Sequence, residues 1–268
     1  MLITWELFLI LILIGFIVGA LNTIAGAGGG VFFVSIMVLY MRMPFNVARD
    51  TSILVMVIGS FTAFVLHIKQ NRVNLILTLT LSIFSILGSL ACWIFLLLYP
   101  LSNLILRYIF GIIMIITACN FFLKIIWDRK NGNDVDKYCK DFEIDSQEFK
   151  RHLKRGIPFF ILAGFIAHLL GIGGGVVNTP SCHLLLGLSI HTSTATSAGI
   201  MFFTAVFNVI IKILFGEINY LIGIILAIGV VFGGLLGAKI SYKMPKIQLQ
   251  LFVAIIMIFL GINMLLSL

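Results

Sequence analysis

The stretch HLLGIGGGVVNTP, His168 to Pro180, places glycine at 171, 173, 174 and 175 inside an otherwise apolar run. In a helix interior each of these glycines costs about 0.8–1.0 kcal/mol relative to alanine. Close helix packing explains one glycine, or two at four-residue spacing. It does not explain three in a row, because a helix turns about 100° per residue and Gly173, Gly174 and Gly175 point in different directions. The reading is a helix opened within the membrane, with a shorter helix beginning near Val176.

The surroundings are those of a membrane protein. The 268-residue chain is 61% hydrophobic and 10% charged, with a mean hydropathy of +1.17. Soluble domains carry about 25% charged residues. The net charge of +8 is therefore read as an orientation signal rather than a nucleic-acid footprint. Cys92, Cys119 and Cys182 lie in apolar runs and Cys139 in a polar one, with no paired spacing that would frame a metal site or disulfides. Ala25-Gly26-Ala27 resembles a signal cleavage site. However, MLITWE carries no positive charge, and a matching segment recurs inside the chain, so the first segment reads as a retained helix.

That recurrence is extensive. GALNTIAGAGGGV (Gly19–Val31) aligns with GFIAHLLGIGGGV (Gly164–Val176), glycine on glycine, at an offset of 145 residues. The same offset pairs Thr51-Ser52 with Thr196-Ser197, Met56 with Met201, Asn74 with Asn219, Gly88 with Gly233, and Pro100 with Pro245. The expected fold is an all-α integral membrane protein of about eight transmembrane helices in two homologous four-segment repeats. The first helix of each repeat is broken at its glycines. The repeats occupy 1–127 and 156–268, joined by a polar connector at 128–155. Repeats of this kind face each other across a pseudo-symmetry axis.

If all eight segments cross once, twelve Lys and Arg fall on the face of the central loop and both termini, and six on the other. Positive-inside counting then puts the loop and the termini in the cytoplasm of a cell-membrane protein. Re-entrant glycine segments would change that parity.

A break in hydrocarbon is tolerated where the chain lines a cavity or is covered by protein. The new half-helix has unpaired first-turn amides and the positive end of its dipole, which suits an anion. The expected binding residues are Gly28, Gly29, Gly30 and Val31 in the first half, and Gly173, Gly174, Gly175, Val176 and Asn178 in the second. Thr51, Ser52, Thr196 and Ser197, near helix starts, either cap those helices or donate to a bound oxyanion, or both. Asn22 and Thr23 are read as backbone repair. His168 is an intramembrane ionisable group and hence a proton-coupling candidate; the competing reading is a neutral, hydrogen-bonded histidine. Arg49 and Asp50 pair with neighbours or with a lipid headgroup, and Lys212 snorkels to the interface.

Other glycine chemistries do not fit. A phosphate-binding loop needs Gly-Lys-Ser/Thr where Val176-Val177 and Val31-Phe32 stand, and the dinucleotide fingerprint lacks its third glycine. Outside the central region the acidic residues are Glu6, Asp50 and Glu217, too few for a hydrolytic site, so an enzyme is not expected.

With its two glycine breaks, each followed by a Thr-Ser pair, and with GIGGGVVNTPSCHLLLGLSIHTSTATSAG in the second half, the sequence resembles the TauE/SafE sulfite exporter family. The first half departs from the pattern, with Ser35 in place of the proline and Arg49-Asp50 before Thr51-Ser52. The resemblance implies an eight-helix secondary transporter for sulfite, sulfonates such as sulfoacetate, or related small anions. Its partners would be that anion, the bilayer and possible coupling protons, with no nucleic acid and no cofactor. A passive anion channel or an assembly factor stands as the alternative.

Overall fold

A computed structural model describes residues 5–25, 28–130, 147–240 and 246–266. Those residues form ten α-helices and no strand. They are α1 (Trp5–Ala25), α2 (Gly30–Leu39), α3 (Phe45–Lys69), α4 (Leu75–Leu98) and α5 (Asn103–Lys130), then α6 (Gln147–Leu170), α7 (Gly175–Pro180), α8 (Ile190–Phe215), α9 (Tyr220–Ile240) and α10 (Lys246–Leu266). α7 runs into a π-helical turn at Ser181–Leu185. Seven helices are each long and apolar enough to cross a membrane. In hydrocarbon, only internal hydrogen bonds satisfy the backbone, so such runs become helices. Large apolar side chains stand exposed along them, among them Leu9, Leu13, Ile76, Ile83, Ile112, Phe159, Ile224 and Phe259. Lipid is the solvent for that surface.

Both glycine stretches interrupt the helix, and the half-helices start at Gly30 and Gly175, one residue earlier than expected. The chain does more than open, because each half-helix folds back along its predecessor. A methyl group added at Gly29 would touch Val18 at 3.1 Å and Asn22 at 3.3 Å, eleven and seven residues earlier. At Gly174 it would meet the Ala163 carbonyl at 2.9 Å and the Ala167 methyl at 3.4 Å, again eleven and seven residues earlier. Neighbours in a continuous helix lie three or four positions back. α2 and α7 therefore turn back from the ends of α1 and α6 instead of extending them.

The helix directions follow from residue pairings. Gly15 lies on Leu226 and Gly229, Gly19 on Val230 and Gly237 on Ala20, so α1 and α9 run parallel. α3 is parallel to α9 as well, with Leu54 on Gly223 and Thr62 on Gly234. α3 and α8 are antiparallel, since Phe61 meets Phe202 and Phe64 lies against Gly199. A chain whose α1 and α3 point the same way needs α2 to bring it back. The first and fifth segments each hold a long apolar helix followed by a short one, α2 or α7, that turns the chain back. The Trp5 end of α1 and the Leu266 end of α10 share one face, and the Lys130 and Gln147 ends of α5 and α6 share the other.

The contacts repeat at the sequence offset. A methyl group at Gly88 would run into the Ile161 carbonyl, and one at Gly233 into the Phe16 carbonyl. Gly164 lies against Ser85 as Gly19 lies against Val230. Each partner in the second contact of a pair is 145 residues from its counterpart. The two halves are interlaced, because α1 of one packs on α9 of the other and α6 packs on α4. Both ends of the polar connector are helical, since α5 continues to Lys130 and α6 begins at Gln147; Cys139 lies outside the described residues.

Candidate functional site

The hairpin tips meet at the centre of the fold. Gly28 takes a φ of +83°, which L side chains rarely adopt, and a methyl group there would press on the Ile172 carbonyl at 2.6 Å. One at Gly30 would run into the Gly171 carbonyl. Only bare backbone fits between the tips. Met56 and Met201, both buried, close the space from α3 and α8: Met56 faces Gly173, and Met201 lies 3.5 Å from the Gly28 position and 3.6 Å from the Gly173 position.

The polar groups of the two halves are used differently. In the first half they are bonded to protein. The Gly29 amide donates to Asn22 Oδ1 at 2.9 Å, the repair expected of Asn22. Thr23 instead donates to the Gly19 carbonyl within its own helix. Thr51 and Ser52 lie in the second turn of α3, whose N-cap is Pro44, so they do not cap it. Thr51 Oγ1 accepts from the Asn219 amide at 2.9 Å, serving the start of α9. Ser52 Oγ donates to the Gly171 carbonyl at 3.0 Å and lies 3.4 Å from the Gly30 carbonyl, tying the two tips together. Val31 is buried beside them.

In the second half the counterparts of Thr51 and Ser52 have no hydrogen-bond partner among the described residues. Gly174 caps α7 with a φ of +72°. The amides of Val177 and Asn178 close onto its carbonyl at 3.0 and 2.9 Å. The first-turn amides of Gly175 and Val176 lie ahead of that closure and have no intrahelical acceptor. Thr196 and Ser197 are not caps either, because Ser189 caps α8 by accepting from the Thr192 amide. Among the described residues, Thr196 Oγ1, Ser197 Oγ and both amide atoms of Asn178 have no hydrogen-bond partner, and all three side chains are fully buried. His168 pairs through Nδ1 with Asn208 Oδ1 at 2.9 Å, while its Nε2 is also unpartnered. A buried polar group left without a partner costs about 1–3 kcal/mol.

Lys212 does not snorkel. It is 6% exposed, and its Nζ lies 3.2 Å from Asp50 Oδ1, which also takes Arg49 Nε at 2.7 Å. The second carboxylate oxygen accepts the Glu217 amide at 3.1 Å. Sequence reasoning missed this pairing. The signal was there, in a lysine too far inside an apolar helix to be left unpaired and an aspartate, Asp50, inside another apolar helix to receive it.

An all-helical, bilayer-spanning bundle with two interrupted hairpins closing on a polar centre defines a membrane transport protein. The sulfite exporter TauE/SafE family model matches residues 11–264, and the chain belongs to that family. It is similar to the probable membrane transporter protein YunE of Bacillus subtilis, 28% identical over 95% of this chain and 96% of the relative. Similarity to the probable membrane transporter protein MJ0441 of Methanocaldococcus jannaschii is of the same order, 29% identical over 96% and 95% of the two chains. No solved structure matches.

Proposed function

We propose that the protein is a secondary transporter for a small sulfur-containing oxyanion, sulfite or a sulfonate, held at the paired hairpin tips. The observation that carries this reading is the set of buried, partnerless donors and acceptors around the second tip: Asn178, Thr196, Ser197 and His168 Nε2. Hydroxyl and amide donors with opened backbone amides match the acceptor-only surface of an oxyanion. The first tip contributes shape, since Gly28, Gly29, Gly30 and Val31 form the opposing wall and Ser52 fixes the spacing. His168 is the group placed to exchange a proton with the passage, because one ring nitrogen is held by Asn208 and the other is free.

The contact pattern supports two inverted repeats, 1–127 and 156–268, related by an axis in the membrane plane. Rocking of one against the other around the fixed tips would expose the site to each side in turn. Orientation follows from charge. With hairpins at both glycine stretches, the face on which α5 ends and α6 begins carries, among the described residues, Lys69, Arg72, Lys124, Arg129, Lys130, Lys150, Arg151, Lys154, Arg155, Lys239 and Lys246. The other face has Arg42, Arg49, Arg107 and Lys212. That imbalance supports an orientation with this face toward the cytoplasm.

The test is sulfite and sulfonate flux through proteoliposomes. Wild type should show saturable flux, and Asn178→Leu should lose it while still inserting and eluting as a single species. Undiminished flux through Asn178→Leu would reject the site.

A further inference from the structure

The buried ionic cluster beside the second tip is unbalanced. Arg49, Asp50 and Lys212 are 7%, 1% and 6% exposed, and they comprise two cations and one carboxylate. Both cations share a single oxygen, Asp50 Oδ1, at 2.7 and 3.2 Å. No other carboxylate among the described residues forms an ion pair with either cation. One positive charge is left over in a medium where an unpaired charge is expensive.

Its position ties it to the passage. Gly171, at the second tip, packs directly on Arg49, so a methyl group there would lie 2.7 Å from the Arg49 carbonyl and 2.9 Å from its Cγ. The next turn of α3 carries Ser52, bonded to the Gly171 carbonyl. His168, fully buried with a partnerless Nε2, lies within electrostatic reach of Lys212, Arg49 and Asp50. The counterparts one repeat away are Thr194 and Ala195 for Arg49 and Asp50, and His67 for Lys212, so the second copy of this location holds no ion pair. The surplus charge belongs to one side of the centre only.

We propose that this triad sets the charge of the passenger, with the surplus cation serving as counter-ion to one negative charge and selecting monoanions, such as sulfonates and hydrogen sulfite, over dianions such as sulfate. This rests on the anion-transport reading above and specifies it. A monoanion beside the triad brings the buried charge to zero. A dianion leaves one negative charge uncompensated away from water. Changing the triad's charge by one unit should therefore change which valence is preferred, in a direction fixed by sign.

Binding of ethanesulfonate and of sulfate to the full-length protein in lipid nanodiscs tests this, read by calorimetry. Wild type should prefer ethanesulfonate. Lys212→Gln and Arg49→Gln, each leaving a neutral cluster, should weaken ethanesulfonate binding by about tenfold or more. Asp50→Asn, with two unopposed cations, should shift the sulfate-to-ethanesulfonate affinity ratio toward sulfate by about tenfold. The double variant Asp50→Asn/Lys212→Gln returns the cluster to a single positive charge and should recover the wild-type preference. A purely structural ion pair predicts changes in ligand-free melting temperature with no reordering of the two anions. Wild type preferring sulfate, or an affinity ratio unmoved by Lys212→Gln and Asp50→Asn, would overturn the proposal while Asn178-dependent binding left the transport reading intact. Wild type binding neither anion would remove both.

Discussion

The two interlaced bundles, α1 with α9 and α3, and α6 with α4 and α8, share their backbone geometry and differ in what lines it. In the second bundle α4 presents Ser82, Ser85, Ser89 and Cys92, all buried, and α8 presents Thr204, Asn208 and Lys212 at four-residue spacing. These groups bond across the helices: Ser89 to the Gly164 carbonyl at 2.9 Å, Thr204 to Ser85 at 3.0 Å, and Asn208 to His168 at 2.9 Å. The positions 145 residues away in the first bundle are Ala227, Val230, Gly234 and Gly237 on α9, and Gly59, Ala63 and His67 on α3. The same packing is thus built once from hydrogen bonds and once mainly from glycine and small apolar contacts. Positions 145 residues apart share a packing geometry and differ in polarity.

If that comparison is right, the scaffold glycines should be interchangeable in effect and the polar residues should not. The largest effect is expected at Gly88 and Gly233. Leucine at either would force backbone apart from backbone at the Ile161 and Phe16 contacts and cost more than about 3 kcal/mol, with loss of the monodisperse species in size-exclusion chromatography. A large loss at one position and tolerance at the other would break the equivalence. Next, Asn208→Leu should cost about 1–3 kcal/mol by stranding His168 Nδ1, whereas Ala63→Ser at the matching place should stay within about 0.5 kcal/mol, both read from detergent melting curves. The smallest stability effects fall at the hydroxyls. Thr51→Val should lose about 1 kcal/mol with the Asn219 amide bond, and Thr196→Val should be neutral or slightly stabilising because it removes a partnerless group. Flux should nevertheless drop in Thr196→Val. A variant that melts like wild type and transports like wild type would place Thr196 outside the site.

The sequence reading located the two breaks to within a residue, because adjacent glycines have no other use in a buried helix. It also singled out Asn178, Thr196 and Ser197, whose side chains are buried without a hydrogen-bond partner among the described residues. Three things lay beyond it. Hydropathy counts apolar residues without regard to direction, so the fold-back of α2 and α7 was invisible, and with it the parity of the crossings. Of the two roles weighed for Thr51, Ser52, Thr196 and Ser197, capping falls away because their helices begin six residues before each threonine, at Phe45 and Ile190. The Asp50 to Lys212 pair joins residues in different halves of the chain, a closeness that exists only once the halves interlace.

The account's central claim is that a small oxyanion sits at the second hairpin tip, among side chains that have no partner in the protein. Anomalous diffraction from crystals of the lipid-reconstituted protein grown with selenite, whose selenium locates itself, measures that directly. The account predicts a peak within hydrogen-bonding distance of Asn178, Thr196 and Ser197, lost in Asn178→Leu. Selenite carried by the protein in vesicles but ordered elsewhere in the crystal, or a peak undisturbed by that substitution, would contradict it.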